Sequence, residues 1–252
     1  MTAAKDVQVD YTGISKTYDS YRSYSDDLIK RVVELGQIGA GKRVLDVGCG
    51  TGNISYQIKG KINADLVGVD VSPDMLKIAR RKSLELVCSN TDGLHLPFVD
   101  RAFDTIICAY VIHQIKNLNL LFSECYRVLK RGALVLLTSS HRQIENQHPI
   151  IKNFFPSYVD IDKARFPAVD QVNSMLTSLG FQKIGHEEVT VDNIPIDLEY
   201  LQKVKNKYVS TYHLMSQTEF EDGIHKLQAY IDNISQPEFR DWHGTIISAI
   251  KI

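Results

Sequence analysis

The order of hydrophobic and polar positions divides the chain into a first part of alternating strands and helices and a second part that is mainly helical. From residue 43 onward, short unbroken apolar runs alternate with stretches in which apolar residues recur every three or four positions. Unbroken apolar runs are typical of parallel strands buried on both faces, and the wider spacing is typical of helices packed on one face. We therefore predict an α/β fold with a doubly wound, mainly parallel sheet.

The individual elements follow from this pattern. The predicted strands of the first part are Arg43–Val47, Asp65–Asp70, Glu85–Cys88, Phe103–Ala109 and 133–138. The predicted helices there are 25–35, one that begins near Asn53, one that begins at Pro73 after the N-cap candidate Ser72, and 117–130, which Gly132 would end. In the second part we predict helices over 141–155, 169–179, 196–207 and 217–234, and strands over 181–191 and 244–252. Phe155-Pro156 and Phe166-Pro167 are predicted breaks, because the residue before a proline is disfavoured in a helix.

Composition limits the partners and the compartment. The 252 residues are enough for one large α/β domain with an added element. Lys and Arg number 29 and Asp and Glu number 30, so the net charge of −1 gives no overall basic field for nucleic acid or an anionic membrane. The four cysteines form no Cys-x-x-Cys pair, we predict no metal site, and no apolar run reaches the roughly 18 residues of a membrane span. We expect a cytoplasmic protein. The overall composition does not decide whether its surface carries a local basic patch.

A glycine-rich turn after the first predicted strand carries the main functional signal. Asp46 precedes the turn, and Gly48, Gly50 and Gly52 alternate within it. Glycines at the carboxyl end of a strand let the backbone turn sharply and approach a ligand that a Cβ would repel. The Gly-x-Gly-x-Gly spacing differs from the Gly-x-Gly-x-x-Gly of dinucleotide-binding enzymes. It resembles motif I of class I S-adenosylmethionine-dependent methyltransferases.

The resemblance extends from about residue 42 to about residue 139. The segment from Asn90 to Phe98 is similar to the acid-small-x-x-Leu-Pro-Phe segment of this superfamily, and Phe103-Asp104 follows as expected. Residues 127–132 resemble the family's Arg-Val-Leu-Lys-Pro-Gly turn. Arg131 and Ala133 stand where proline and a second glycine are usual, a departure that touches no cofactor position.

The resemblance implies S-adenosylmethionine as the cofactor. The cofactor-binding residues that it implies are Tyr21, Asp46, Gly48, Gly50, Thr51, Gly52, Asp70, Met75, Asp92 and Gly93. Asp46 would reach the cofactor ammonium, Asp70 would accept hydrogen bonds from both ribose hydroxyls, and Asp92 would accept from the adenine amino group. Two alternatives stay open. Asp46 could only stabilise the turn, and Met75 could be a plain core residue instead of an adenine contact.

The resemblance also implies a Rossmann-like sheet of seven strands, mostly parallel, whose last two strands form an antiparallel hairpin. Residues 1–41 would be a helical lid segment, in which Tyr18-Asp19 and Tyr21 fold over the cofactor or simply cover apolar surface. Residues 42–140 would be the cofactor-binding core. Residues 141–252 would be a helical substrate cap interleaved with the last two strands. Residues 192–242 would be an insertion between these two strands. The cap would cover a mostly apolar pocket. A dimer interface or plain stabilising helices are the alternatives, and the protein would be a monomer or a homodimer.

Candidate groups for proton transfer lie just past the fourth and fifth strands: Tyr110, His113 and His141. Methyl transfer mainly requires alignment of the nucleophile with the methyl carbon and sulfur, and a base helps where the acceptor is a hydroxyl or a protonated amine. The run from Tyr110 to His113 resembles a loop that often carries a histidine in quinone- and sterol-type methyltransferases. A purely structural histidine is the alternative.

We therefore expect an S-adenosylmethionine-dependent methyltransferase acting on a small-molecule acceptor, with an oxygen, nitrogen or carbon nucleophile. A nicotinamide-dependent oxidoreductase and a non-catalytic nucleotide-binding protein are the alternatives. Nucleic-acid methylation is disfavoured, because Cys108-Ala109-Tyr110-Val111 stands where amino-methylating DNA enzymes carry an Asn/Asp-Pro-Pro-Tyr type segment.

Overall fold

The strands pair into a single mixed sheet. The structure, a computed structural model, describes Asp19 and residues 24–82, 85–88 and 95–252. The strands are β1 (Arg43–Val47), β2 (Asp65–Asp70), β3 (Glu85–Cys88), β4 (Phe103–Ala109), β5 (Leu129–Thr138), β6 (Gln182–Pro195) and β7 (Phe239–Lys251). Their order across the sheet is β3-β2-β1-β4-β5-β7-β6.

The direction of the strands defines where a ligand can bind. β1 to β5 run parallel, whereas β7 lies antiparallel between β5 and β6. Strand order reverses between β1 and β4, and such a switch point opens a crevice at the carboxyl ends of the strands. The predicted Rossmann-like α/β fold, mostly parallel with antiparallel C-terminal strands, is confirmed.

Helices surround this sheet and also form a layer beyond it. They are α1 (Asp26–Leu35), α2 (Asn53–Lys59), α3 (Pro73–Arg81), α4 (Leu118–Val128), α5 (His141–Glu145), α6 (Pro149–Phe154), α7 (Tyr158–Arg165), α8 (Val169–Ser178), α9 (Leu198–Lys205) and α10 (Gln217–Asn233). Short 3₁₀ turns cover Ile112–Gln114 and Ser210–His213. No helix in the described part of the chain has both the length and the apolar character to cross a bilayer.

The predicted role of Gly132 as a helix stop is wrong. α4 ends at Val128 and β5 begins at once at Leu129, so Gly132 lies within the strand. A Cβ on Gly132 would collide with the carbonyl of Asp104 on β4. The register of β4 against β5 also shifts at this level. Gly132 therefore permits a close backbone approach between two strands.

The boundaries in the second part also differ from the prediction. β6 and β7 continue pairing outward to Pro195 and Phe239, so the segment between them is 196–238 and not 192–242. The predicted helix over 141–155 is broken after Glu145 into α5 and α6. α7 was not predicted, because buried polar residues such as Asp162 interrupt its apolar periodicity.

Three groups of buried side chains hold these layers together. Alternate residues of the strands pack on opposite faces of the sheet; Leu45 lies in one cluster and Val44 in the other. A third, aromatic-rich cluster lies among α6, α7, α9, α10 and the outer end of β6, and includes Phe155, Tyr200 and Tyr212. We call residues 141–178 and 196–238 the outer helical layer. The part formed by α6, α7, α9 and α10 has a hydrophobic core of its own beside the sheet, whereas Val172 and Leu176 of α8 belong to the same cluster as Leu45.

Candidate active site

The glycine turn after β1 has the backbone conformation that requires glycine. The φ angles of Gly48, Gly50 and Gly52 are +70°, +54° and +74°, in the left-handed region that residues with a Cβ rarely adopt. A Cβ on Gly48 would collide with the side chain of Val111, which follows β4. The Cβ position of Gly50, in contrast, faces open space. The turn is therefore packed against the β4 loop on one side and accessible to a ligand on the other.

Asp46 is a buried carboxyl with one oxygen available. The side chain is 2% exposed, and the Ser55 hydroxyl donates to its Oδ2 at 2.6 Å. Oδ1 has no hydrogen-bond partner among the described residues. Burial raises the pKa of Asp46 to about 6; the Ser55 hydrogen bond opposes this shift and the charge of Asp70 adds to it. A buried acceptor without a partner is costly, so this oxygen is suited to a donor on a ligand.

Asp70 connects the glycine turn to the start of α3. Its Oδ2 accepts from the Gly50 amide and its Oδ1 from the Ser72 amide, both at 2.8 Å. Burial raises the pKa of Asp70, while the amides of Ser72 and Gly50 oppose that shift. Each carboxylate oxygen has a second lone pair, and the half-buried side chain can still accept from a diol. Met75, 3% exposed, follows within α3.

Asp19 joins the N-terminal segment to the same turn. The buried Thr51 hydroxyl donates to Asp19 Oδ1 at 2.5 Å, and Lys82 Nζ lies 2.8 Å from Asp19 Oδ2. The contact involves one member of the predicted Tyr18-Asp19 pair. Tyr18 and the predicted cofactor contacts Tyr21, Asp92 and Gly93 lie outside the described residues.

These groups fit the chemistry of the cofactor that the sequence predicts. The free Asp46 oxygen suits an ammonium, the remaining lone pairs of Asp70 suit a ribose diol, and Gly50 leaves space beside the backbone. Asp46 and the glycine turn end β1, and Asp70 ends β2, its neighbour in the sheet. The predicted cofactor residues that the structure describes thus lie together at one edge of the sheet.

A second space, which we call the β4–β5 cavity, lies beside this crevice. It has a volume of about 60 Å³. Its lining consists of Tyr110, His113, Gln114, Ser139, Gln147, Tyr158, Asp162, Phe166, Tyr208, Val209, Ser210, Thr211, Arg240 and Trp242. Tyr110 follows β4 and Ser139 follows β5, and β4 is the neighbour of β1 in the sheet. The lining is largely polar, unlike the mostly apolar pocket that we predicted.

The three predicted proton-transfer candidates occupy different places. Tyr110 has a φ of +51°, and its ring stacks on Tyr24 and approaches Trp242, with centroids 6.4 Å and 5.3 Å away. His113 stacks on Phe166 at 4.1 Å between ring centroids. Both line the β4–β5 cavity. His141 does not; its Nε2 lies 2.9 Å from the Phe166 carbonyl oxygen.

No sequence motif indicated the charged residues in this cavity. Arg240 is 4% exposed, and the hydroxyls of Tyr200 and Tyr208 accept from its Nη1 at 2.9 Å and 3.3 Å. Asp162 is also buried and accepts from the Thr211 hydroxyl at 2.7 Å. Burial raises the pKa of Asp162 to about 6, against the effects of Thr211 and the nearby Arg165. Both residues come from stretches without a motif.

Comparison with protein families matches a methyltransferase domain to residues 45–137. The chain is 31% identical to the demethylmenaquinone methyltransferase of Thermus thermophilus over 175 residues, which cover 60% of this chain and 80% of that protein. It is 28% identical to phosphoethanolamine N-methyltransferase 3 of Arabidopsis thaliana, covering 77% of this chain. The match spans only 40% of that plant protein's length.

Solved structures show the same fold. A protein from Anabaena variabilis, described as a methyltransferase of an antibiotic biosynthesis pathway, superposes with a TM-score of 0.72 at 22% identity. The match covers 92% of this chain and 99% of that one. Phosphoethanolamine N-methyltransferase 2 of Haemonchus contortus, bound to phosphomonomethylethanolamine and S-adenosylhomocysteine, superposes with a TM-score of 0.63 at 20% identity. That match covers 100% of this chain and 60% of that one.

Proposed function

Because the chain belongs to the class I S-adenosylmethionine-dependent methyltransferase superfamily, we propose that it transfers a methyl group from S-adenosylmethionine to a small molecule held in the β4–β5 cavity. The observation that carries this proposal is the position of the cavity. Tyr110 and His113 line it after β4, while Asp46 lies near the end of β1, the neighbouring strand, and the glycine turn directly follows that strand. A cofactor and an acceptor in these two places would lie on either side of one loop.

The cofactor-binding roles rest on the polar groups at the strand ends. When bound, S-adenosylmethionine supplies a methyl group on a positively charged sulfur. Asp46 accepts a hydrogen bond from the cofactor ammonium through its free oxygen, and Asp70 accepts from the ribose hydroxyls. The backbone around Gly50 approaches the cofactor without steric conflict. Met75 packs beside the adenine, and Tyr21, Asp92, Gly93 and Thr51 complete the site by their place in the family motif.

On the acceptor side, residues of this chain orient the nucleophile and exclude water. His113 is held in one plane by its stack on Phe166, and it takes a proton from an acceptor hydroxyl or ammonium. Tyr110 confines the acceptor beside it, while His141 positions Phe166 through the carbonyl. The outer helical layer serves as the substrate cap and the segment around Asp19 as a lid, which together exclude water.

Two measurements test this function. Calorimetry should give binding of S-adenosylmethionine and S-adenosylhomocysteine and none of NAD or NADP. A panel of metabolites with methyl-labelled cofactor should then give a labelled small-molecule product. Asp74→Asn, a change at a half-buried position in the first turn of α3, is the matched control for Asp70→Asn, which should weaken both signals. Binding of NAD without S-adenosylmethionine would overturn the proposal, as would cofactor binding without transfer to any acceptor.

A further inference from the structure

Arg240 places a fixed positive charge in the wall of the β4–β5 cavity. The residue is 4% exposed, and arginine stays protonated at every accessible pH. Its described partners are neutral: the hydroxyls of Tyr200 and Tyr208, and Gln147 Oε1, which accepts from Nη2 at 3.3 Å. The Nε–H has no partner among the described residues. No carboxylate of the described residues lies within ion-pair distance of Arg240, so its charge is not neutralised there by the protein.

The other charges of the cavity do not supply the missing partner. Asp162 is already engaged by the Thr211 hydroxyl and lies 3.6 Å from an Arg165 nitrogen. Arg165 also donates to Ser210, another lining residue, at 3.0 Å. The immediate surroundings therefore contain two guanidinium groups and one carboxyl. A buried charge without a counter-charge is costly, and buried charges in proteins are therefore paired. A ligand of opposite charge would supply the missing partner of Arg240.

The geometry of the donors indicates what this ligand is. The unused Nε–H lies on the same edge of the guanidinium as Nη2, and such a pair of donors matches two oxygens of one carboxylate or phosphate. The Ser210 hydroxyl lines the same space; it accepts from Arg165, so its own O–H can donate a further hydrogen bond to an oxyanion. The cavity volume of about 60 Å³ is enough for a small polar group such as a carboxylate or a phosphate.

We propose that the methyl acceptor carries an anionic oxygen group, a phosphate monoester or a carboxylate, and that Arg240 binds it in the β4–β5 cavity. This proposal rests on the proposed function and narrows its substrate class. The rest of the acceptor then extends from the anionic group past Tyr110 and His113. Its nucleophilic atom lies at the end that faces the crevice after β1. Arg240 acts as a binding and positioning residue for the acceptor and takes no part in proton transfer.

The test uses Trp242, the single tryptophan of the chain, which lines the same cavity. The protein of residues 1–252, saturated with S-adenosylhomocysteine, is titrated with inorganic phosphate and separately with sodium acetate, each against sodium chloride at equal ionic strength. We expect a saturable change of Trp242 fluorescence with one of the two anions. Phosphate alone identifies a phosphate monoester, and acetate alone identifies a carboxylate. A response to neither anion overturns the proposal.

Variants assign the response to Arg240. Arg240→Gln should weaken anion binding by about tenfold or more, which corresponds to loss of a charge-assisted pair of hydrogen bonds. Arg142→Gln, an exposed arginine on α5, is the matched control and should bind as the wild type does. If Arg240→Gln fails to fold, Arg240→Lys replaces it; this change keeps the charge, removes the two-pronged donor and should also weaken binding. Unchanged anion affinity in a folded Arg240 variant overturns the proposal.

The cofactor measurement separates this proposal from the proposed function. If the wild type binds S-adenosylhomocysteine but neither anion, the anionic acceptor is wrong and the methyltransferase function stands. If it binds an anion at Arg240 but no S-adenosylhomocysteine, the methyltransferase function fails. With methyl-labelled cofactor, Arg240→Gln should raise the KM for an accepted anionic substrate much more than it lowers kcat, and leave cofactor affinity unchanged.

Discussion

The buried carboxyl of Asp46 leads to a prediction about stability and pH. Its pKa is raised from 3.8 to about 6, mainly by burial. A shift of about two units corresponds to about 3 kcal/mol of difference between the protonated and the ionised form, which is an upper bound in order of magnitude. Since the folded-state pKa is raised, the contribution to stability is complete below about pH 4 and is lost as the pH rises through about 6. The cofactor-free protein therefore carries this cost at neutral pH.

Asp46→Asn should remove this pH dependence. Asparagine keeps an oxygen that accepts from the Ser55 hydroxyl, and it carries no charge. As the pH rises from 4 to 8, the free energy of unfolding of the variant should therefore increase relative to that of the wild type by about 1–3 kcal/mol. Urea denaturation of both cofactor-free proteins at several pH values measures the difference. Asp162, whose pKa is also raised to about 6, is present in both and cancels from the comparison.

Two results would refute this reasoning. Parallel stability curves of wild type and Asp46→Asn across this pH range would mean that burial of Asp46 carries no electrostatic cost. The same variant should also bind S-adenosylhomocysteine about 1.5–3 kcal/mol more weakly at pH 8, because it loses a charged acceptor for the ammonium. Undiminished affinity, measured by calorimetry, would show that Asp46 only ties down the turn.

Three further predictions concern the turn and the loop after β4. Asp70→Asn should weaken S-adenosylhomocysteine binding by about 1.5–3 kcal/mol in calorimetry while the protein stays folded; normal affinity would remove it from the ribose site. Gly48→Ala should cost more unfolding free energy than Gly41→Ala, by about 1–3 kcal/mol, because both have positive φ but only Gly48 has a side chain in its way; equal losses in urea denaturation would contradict this. His113→Asn should lower kcat by about 10²-fold or more without changing cofactor affinity, and an unchanged kcat would exclude it as the base.

Elements with one dominant local signal could be predicted from the sequence. β1 to β4 have the predicted bounds, because buried parallel strands are unbroken apolar runs between clear stops. α3 begins at Pro73 as predicted, with the Ser72 side chain accepting from the Met75 amide. The residues predicted to bind the cofactor include Asp46, Gly50 and Asp70, and these three lie together in the structure.

The remaining features depend on contacts between distant residues. Gly132 looked like a helix stop because its clash partner, the Asp104 carbonyl, becomes a neighbour only when β4 and β5 pair. The outer ends of β6 and β7 are polar and partly exposed, so only their mutual pairing identifies them as strands. Arg240 lies in this stretch, next to Phe239 and Asp241. An arginine in such surroundings is expected at the surface, and tertiary packing alone buries it.

β7 joins two regions that the sequence keeps apart. Its inner part pairs with β5 from Thr245 to Lys251, and Lys251 Nζ donates to the carbonyls of Tyr126 and Leu129 at 2.6 Å and 2.7 Å. Its outer end carries Arg240. Pairing with β6 continues outward to Phe239, so the backbone of Arg240 belongs to the sheet that also carries the crevice after β1, and not to one of the surrounding helices.

If Arg240 binds the acceptor as proposed, this placement on the sheet sets the length of the acceptor. An acceptor one methylene shorter or longer would misplace the nucleophile at the methyl group and should react far more slowly. If the outer helical layer were exchanged between relatives, the preference for acceptors of a given length would then stay the same. Transferring a preference for longer or shorter acceptors would require moving the position of the arginine along β7.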